Sequence, residues 1–159
     1  MMNLELLQKV TAFISTEADM LDQCEYENWH ELWDDDGLYI VPVDPHEQDF
    51  LNTLNYALDD KEMRRLRVAR LTGGESASTS PLPRTVRQVS RFRILKDEDN
   101  MVTVRCAQFL SEYRKEAVRY NSANLEFQLL KLGDSFKIKR KLVRIINSDD
   151  AQVTVGYIF

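Results

Sequence analysis

Residues 59–95 read DDKEMRRLRVARL (Asp59–Leu71), TGGESASTSPLP (Thr72–Pro83) and RTVRQVSRFRIL (Arg84–Leu95). A short amphipathic helix, a linker and a long basic strand are expected in that order. Asp59 and Glu62 have capping-box spacing, with Asp in place of Ser or Thr. Met63, Leu66 and Arg70 fall on one helical face, and Arg64, Arg65 and Arg67 lie around the rest. Gly73-Gly74 supplies a stop, because glycine takes left-handed geometry without a Cβ clash. Glu75 to Pro83 is small, polar or proline and reads as a surface loop. The arginines read first as a solvated face with intramolecular ion pairs. Their second reading is a set of guanidinium forks for a partner's carboxylates.

The two sides of this stretch differ in charge. The chain has 159 residues and a formal net charge of −5. Residues 1–60 hold 15 acids and one base, Lys9, a net of −14; residues 61–159 hold 11 acids and 20 bases, a net of +9. Such halves attract each other within the fold or present opposite faces to neighbours. The basic residues are spread over helix, strands and turns without a clustered tract, so nucleic acid is not an expected partner. The length fits one domain, residues 1–159. No run approaches a membrane span. The N-terminus lacks a basic start and an unbroken apolar segment, which makes the cytoplasm the default compartment. Cys24 and Cys106 form no short-spaced pair, and His30 and His46 are too few for a histidine-rich metal site. A mixed carboxylate site stays open.

Upstream, Leu6, Val10, Phe13, Ile14, Glu17, Ala18 and Leu21 recur at helical spacing, which predicts one amphipathic helix over 3–21. Tyr26, Trp29, Leu32 and Trp33 predict a second short helix ending near Asp34-Asp35-Asp36-Gly37. Leu38 to Val43 reads as a brief strand, with Pro42 suited to an edge or a strand end. Asp44 to Leu58 reads as a loop with a turn of helix. Downstream, Val86 and Val89 are out of phase, which points to a bulge between them. Met101 to Tyr113 alternates, with Val102, Val104, Cys106 and Leu110 on one face and Thr103, Arg105, Ala107 and Phe109 on the other. Lys115 to Tyr120 reads as a polar connection, and Ala123 to Leu132 as a strand turned by Gly133-Asp134. Phe136 to Ile145 alternates again, and Val153 to Phe159 closes the chain as a last strand. The fold class is therefore α+β, with N-terminal helices packed in the concave face of a strongly curved antiparallel or mixed sheet, a cone.

Chemistry-bearing motifs are few. Gly73-Gly74 follows no strand and fits neither nucleotide fingerprint. Neither Ser90 nor Ser111 sits in a nucleophile elbow. The remaining catalytic possibility is a cone pocket using one acid or a His; His30, beside Trp29 and Glu31, reads more plainly as a surface or partly buried hydrogen-bonded residue. Asp34-Asp35-Asp36 lacks the alternating spacing of a calcium loop and reads as a solvated helix end.

Four blocks carry a family resemblance: FISTEADMLDQCEYENWHELWDDDGLYIVP (Phe13–Pro42), DDKEMRRLRVARL (Asp59–Leu71), PLPRTVRQVSRFRI (Pro81–Ile94) and FKIKRKLVRIINSD (Phe136–Asp149). In that order and spacing the chain resembles the small, or beta, subunit of bacterial aromatic-ring-hydroxylating dioxygenases. The resemblance implies a cone similar to nuclear transport factor 2 (NTF2-like) and scytalone dehydratase. It implies a structural, non-catalytic subunit with no cofactor of its own, in an alpha3beta3 hetero-hexamer whose beta subunits form a trimer. The large alpha subunit would carry the Rieske [2Fe–2S] centre and the mononuclear iron. A reductase, often with a ferredoxin, would bring electrons from NADH or NADPH, and O2 would hydroxylate an aromatic compound. Arg70 and Arg84 fall on recurrent arginines of the family pattern, while Arg87 and Arg91 stand where a His and an Asn are common. With Phe109 these four arginines are the expected interface or scaffold residues. Two other readings remain at this point: a stand-alone cone-fold dehydratase or isomerase, and a binding or adaptor module.

Overall fold

The computed structural model of the chain describes residues 2–73, 83–150 and 157–159. In order, the elements are α1 (Leu4–Asp22), α2 (Tyr26–Glu31), β1 (Trp33–Pro42), a 3-10 turn at Phe50–Asn52, β2 (Asn55–Asp59), α3 (Lys61–Gly73), β3 (Arg84–Asp97), β4 (Met101–Arg114), β5 (Ala117–Leu132) and β6 (Ser135–Ile145). The strands form one six-stranded sheet in the order β2-β1-β6-β5-β4-β3. All neighbours are antiparallel except β1 and β6, which run parallel, so the sheet is mixed. The helices share its inner face, with α1 against β3 and α2 and α3 near β1.

α1 starts where the Asn3 side chain accepts the Leu6 N–H at 3.0 Å, satisfying a donor left free by the helix start. Its buried stripe is Leu6, Val10, Ile14, Glu17, Ala18 and Leu21. Phe13 lies at the edge of that stripe, its ring edge-on to Phe136 at 5.5 Å. The same core cluster holds the inward residues of the long strands: Val102, Val104, Cys106 and Leu110 from β4, and Leu125, Phe127 and Leu129 from β5. Trp29, Trp33 and Tyr39 close the core in a T-shaped cluster, with centroids 5.4 to 6.4 Å apart.

The structure corrects several expectations. α2 ends at Glu31, and Trp33 already opens β1. Asp34 to Gly37 is not a helix end. Trp33 pairs with Ile138 and Leu38 with Arg140, so these acids are extra residues bulged out of β1. Gly37 has to be glycine at this bulge: a Cβ there would meet the Ile138 carbonyl oxygen at 2.7 Å. β1 is an interior strand, and Pro42 takes its last position. β2, in the segment expected to be loop, pairs with it. The cap of α3 is Asp60, whose carboxylate accepts the Met63 N–H at 3.0 Å. The buried face of α3 is Arg64, Val68 and Leu71, while Met63 and Leu66 are exposed. Periodicity misassigned this face because the residue pointing inward is an arginine.

In β3 the register shifts between Ser90 and Arg93, with Arg91 at φ 59°, and again between Ile94 and Lys96, rather than between Val86 and Val89. β5 begins at Ala117, and Lys115 and Glu116, both at positive φ, form the two-residue turn before it. Of the outer-face residues of β4, Thr103 and Ala107 are already covered by the chain, whereas Phe109 is 53% exposed. The expected linker lies outside the described residues as far as Leu82, and the expected last strand does so as far as residue 156. Tyr157, Ile158 and Phe159 are not in a strand, and all three are buried in the core.

Candidate functional site

Three places concentrate polar side chains. The first lies inside the cone. β6 carries a bulge at Lys139, because Gln128 pairs with Arg140 but Leu129 pairs with Ile138. The bulge reverses the inward phase, so Phe136 and Ile138 point inward before it and Lys141, Val143 and Ile145 after it. Lys141 thereby reaches Glu17 of α1 at 2.6 Å, both fully buried, and also donates to the Phe159 carbonyl. Trp29 Nε1 donates to the same Glu17 oxygen at 2.8 Å. Burial lowers the pKa of Lys141, and the Glu17 carboxylate opposes that shift. Tyr39 Oη accepts the Phe159 N–H at 2.9 Å, and burial raises the phenol's pKa. On the same inner surface, Arg87 pairs with Asp22 and donates to the Ile158 carbonyl, and Asp22 also takes the Arg87 N–H at 2.7 Å. Asp59 receives a bidentate fork from Arg67 at 2.6 and 3.2 Å. These groups tie helices and tail to the sheet through paired charges. Cys106 is no nucleophile, since burial pushes its thiol up to about 12.

The second place is a cavity of about 360 Å³ lined by His30, Glu31, Trp33, Asp35, Lys61, Arg64, Arg65 and Lys137. Burial first, then the nearby Arg64 and Arg65 cations, lower the His30 pKa. Of the two carboxylates in the lining, Asp35 is paired with Lys61 at 2.8 Å, and Glu31 is exposed with no ion pair to its carboxylate among the described residues. Arg64 stacks over Trp33 at 4.3 Å and donates to the carbonyls of Gly37 and Asp34, bracing the acidic bulge. The arrangement is a brace around β1.

The third place is a groove of about 530 Å³ on the outer face of the sheet, with Arg91, Arg105, Arg140, Arg144, Asn124 and Glu126 among its lining. Arg140 pairs with Glu126 at 2.8 Å. Arg144 donates to the carbonyls of Pro45 and Glu47, and Arg91 donates to Asn124.

The five expected interface or scaffold residues do not gather in one site. Arg70 is exposed on α3. Arg84 stacks over Tyr113 at 5.0 Å on the outer face. Phe109 shares that face, and Arg91 sits at the groove. Arg87 is 9% exposed and works inside the fold. The sequence reading missed Glu17 with Lys141 and the arginine groove. The change in phase between Phe136/Ile138 and Val143/Ile145 was the available signal for the bulge that buries Lys141.

Among the described residues, no group of three or more His, Cys, Asp or Glu side chains is placed to hold a metal ion. Cys24 is exposed and Cys106 is buried. The donor set for an iron–sulfur cluster or a mononuclear iron is therefore not offered by these residues. No helix among them is long and apolar enough to cross a membrane.

A sheet curled over N-terminal helices is the NTF2-like architecture. An NTF2-like protein with a cystatin-like fold from Novosphingobium aromaticivorans superposes with TM-score 0.62 at 12% identity, over 88% of this chain and 81% of that one. Naphthalene 1,2-dioxygenase with indole bound superposes with TM-score 0.85 at 19% identity, over 100% of this chain and 88% of that one. The chain belongs to the ring hydroxylating beta subunit family, whose model matches residues 16–149. It is 28% identical to the anthranilate 1,2-dioxygenase small subunit of Acinetobacter baylyi, over 92% of this chain and 93% of the relative. It is 25% identical to the 2-halobenzoate 1,2-dioxygenase small subunit of Burkholderia cepacia, over 93% of each. The protein is thus a small subunit of an aromatic-ring-hydroxylating dioxygenase, part of an oxygenase complex.

Proposed function

We propose that this chain is the structural subunit of an alpha3beta3 oxygenase. In this reading residues 1–159 form one cytoplasmic domain, three copies form a trimer, and the trimer carries three large subunits. The large subunit holds the Rieske [2Fe–2S] centre and the mononuclear iron. A reductase, with or without a ferredoxin, delivers electrons from NADH or NADPH. O2 is then used to hydroxylate an aromatic ring. The small subunits similar to this chain belong to dioxygenases named for anthranilate and 2-halobenzoate, which favours an aromatic carboxylic acid as the substrate class.

The observation that carries the reading, beside the family match, is the use of the interior ionisable groups. Glu17, Lys141, Asp22, Arg87, Asp59 and Arg67 are each held in an ion pair within the chain, with Glu17 bonded through one oxygen, Oε2, and its Oε1 buried without a hydrogen bond. A cone enzyme needs at least one such group free to meet a substrate proton. Co-expression with the large-subunit gene, followed by intact-mass measurement and metal analysis, tests it. The expected result is a complex of equal numbers of large and small subunits, with iron retained only when the large subunit is present. A small subunit that ignores the large one, or that retains stoichiometric metal alone through gel filtration, refutes it.

A further inference from the structure

Tyr157, Ile158 and Phe159 are buried in the core, yet they belong to no helix or strand. Buried backbone is ordinarily satisfied by the ladder of its own helix or sheet. Here side chains from three strands do it. The Phe159 carbonyl accepts from the Lys141 ammonium of β6, and the Ile158 carbonyl accepts from the Arg87 guanidinium of β3. The Phe159 N–H donates to Tyr39 Oη of β1 at 2.9 Å. Asn121 of β5 donates to the Tyr157 hydroxyl at 2.8 Å. The rings of Tyr157 and Phe159 lie together, with centroids 5.2 Å apart. Aromatic groups in an apolar interior, with a few converging side chains on their carbonyl and N–H groups, are held as a protein holds a ligand.

The interior also offers polar atoms that these contacts leave unused. Glu17 and Gln108 are each 1% exposed, and the Oε1 of each is buried with no hydrogen bond among the described residues. Glu17 holds Lys141 through Oε2, so its free Oε1 lies beside the ammonium that takes the Phe159 carbonyl. Cys106 is near enough to Lys141 and Glu17 for both to act on its thiol, and Gln108 is the next inward position along β4. Buried acceptors of this kind call for a donor. Charge then selects the class of molecule that fits. Lys141 already has Glu17, and Arg87 already has Asp22. A carboxylate brought in beside them would be a third anion for two cations, buried without a partner of its own. A neutral carbonyl makes no such imbalance, and an N–H beside it meets the free acceptors.

We propose that the inside of the cone is a binding site for a neutral aromatic carboxamide, and that the chain's own Tyr157–Phe159 occupies it as an internal ligand. The ring of the bound molecule takes the place of the Phe159 ring. Its carbonyl faces Lys141 or Arg87, and its N–H faces Tyr39 Oη or Glu17 Oε1. A small molecule enters only as the segment leaves, so its apparent affinity is its intrinsic affinity reduced by the fraction of chains with the site vacated. Binding of this kind moves no proton and breaks no bond, so the paired state of the interior charges is no obstacle to it.

The test uses benzamide as the probe, with toluene and benzoate as its apolar and anionic counterparts, on the full chain alone and co-expressed with the large subunit. Phe159→Ala removes the ring and keeps the backbone. Calorimetry is expected to show benzamide binding Phe159→Ala at least about tenfold more tightly than the wild type, and at least about tenfold more tightly than toluene or benzoate binds that variant. Toluene binding as well as benzamide would mark a plain apolar cavity and overturn the proposal. Benzoate binding better than benzamide would overturn the neutral class argued from the paired charges. A folded Phe159→Ala that binds none of the three also overturns it. Should that variant fail to fold, the wild type decides. In a chain carrying 4-fluorophenylalanine, with the signal of residue 159 identified by its loss in Phe159→Leu, benzamide is expected to move that signal as the ring is displaced. A signal that stays in place up to the solubility limit of benzamide overturns the proposal.

Discussion

Lys141 shows how much one residue can depend on its surroundings. Its ammonium is held inside the cone by one carboxylate oxygen of Glu17, a backbone carbonyl and the Phe127 ring 5.6 Å away. Removing one partner of a buried pair strands the other charge. Lys141→Met is therefore expected to cost about 3–5 kcal/mol in chemical denaturation, and Glu17→Gln combined with Lys141→Met to recover most of it. If the double variant is no better than the single one, the pair is not what the interior depends on. Trp33 lies in the same core, and Trp33→Ala is expected to cost about 3–5 kcal/mol; a shift under about 1 kcal/mol would place it at the surface. His30 gives a pH signature. Its folded pKa lies below the unfolded value of about 6.5. As pH falls through that value the unfolded chain takes up the proton first, so stability is full above it and declines below it. His30→Gln is expected to flatten the decline between about pH 7 and 5. An unaltered slope would mean that other groups carry it.

Bulges and turns decide the elements. The β6 bulge aims Lys141 inward, and the β1 bulge carries three consecutive acids out of the ladder, where Arg64, Lys61 and Lys139 hold them. The β4–β5 hairpin turns on Lys115 and Glu116 at φ 51° and 64°, a conformation that suits Asn-Gly far better. Replacing the pair by Asn-Gly is expected to stabilise the chain by about 1 kcal/mol, read as a higher denaturant midpoint with an unchanged slope. No gain, or a loss, would show that the side chains of the turn make contacts that offset the relief. β3 is a long edge strand, and an edge is open to pairing with other chains. Here it carries a bulge at Arg91 and a run of arginines, the devices that discourage such pairing.

For the molecule as a whole, the arginines of β3 divide by face. Arg87 braces α1 and the tail from within, and Arg84 lies outside. Arg87→Ala is expected to lower the melting temperature of the isolated chain, at a cost of about 3–5 kcal/mol, because Asp22 loses its cation. Arg84→Ala is expected to change the stability of the isolated chain by less than about 1 kcal/mol. Equal effects would contradict the division of faces. The opposed charges of the two halves also take two forms. Part is spent within the fold, in Glu17–Lys141, Asp22–Arg87 and Asp59–Arg67, and part remains outside, in the groove and on α2.

The sequence by itself determined the helix of the first twenty residues, the alternation of β4 and β5, the α+β class and the family, because each of these rests on local periodicity or on ordered blocks of residues. It placed Glu17 in the apolar stripe of α1 without showing why a carboxylate belonged there. Only the tertiary structure decided which face of α3 is buried, where β1 begins and which arginines are internal. Arg64, Arg87 and Lys141 read locally as solvent residues. They lie inside because each finds a partner brought from far along the chain: the Gly37 carbonyl, the Asp22 carboxylate and Glu17. A buried charge is tolerated only where such a partner is fixed in place. Bulges were likewise beyond a reading of the strand alone, since an extra residue exists only relative to the strand beside it.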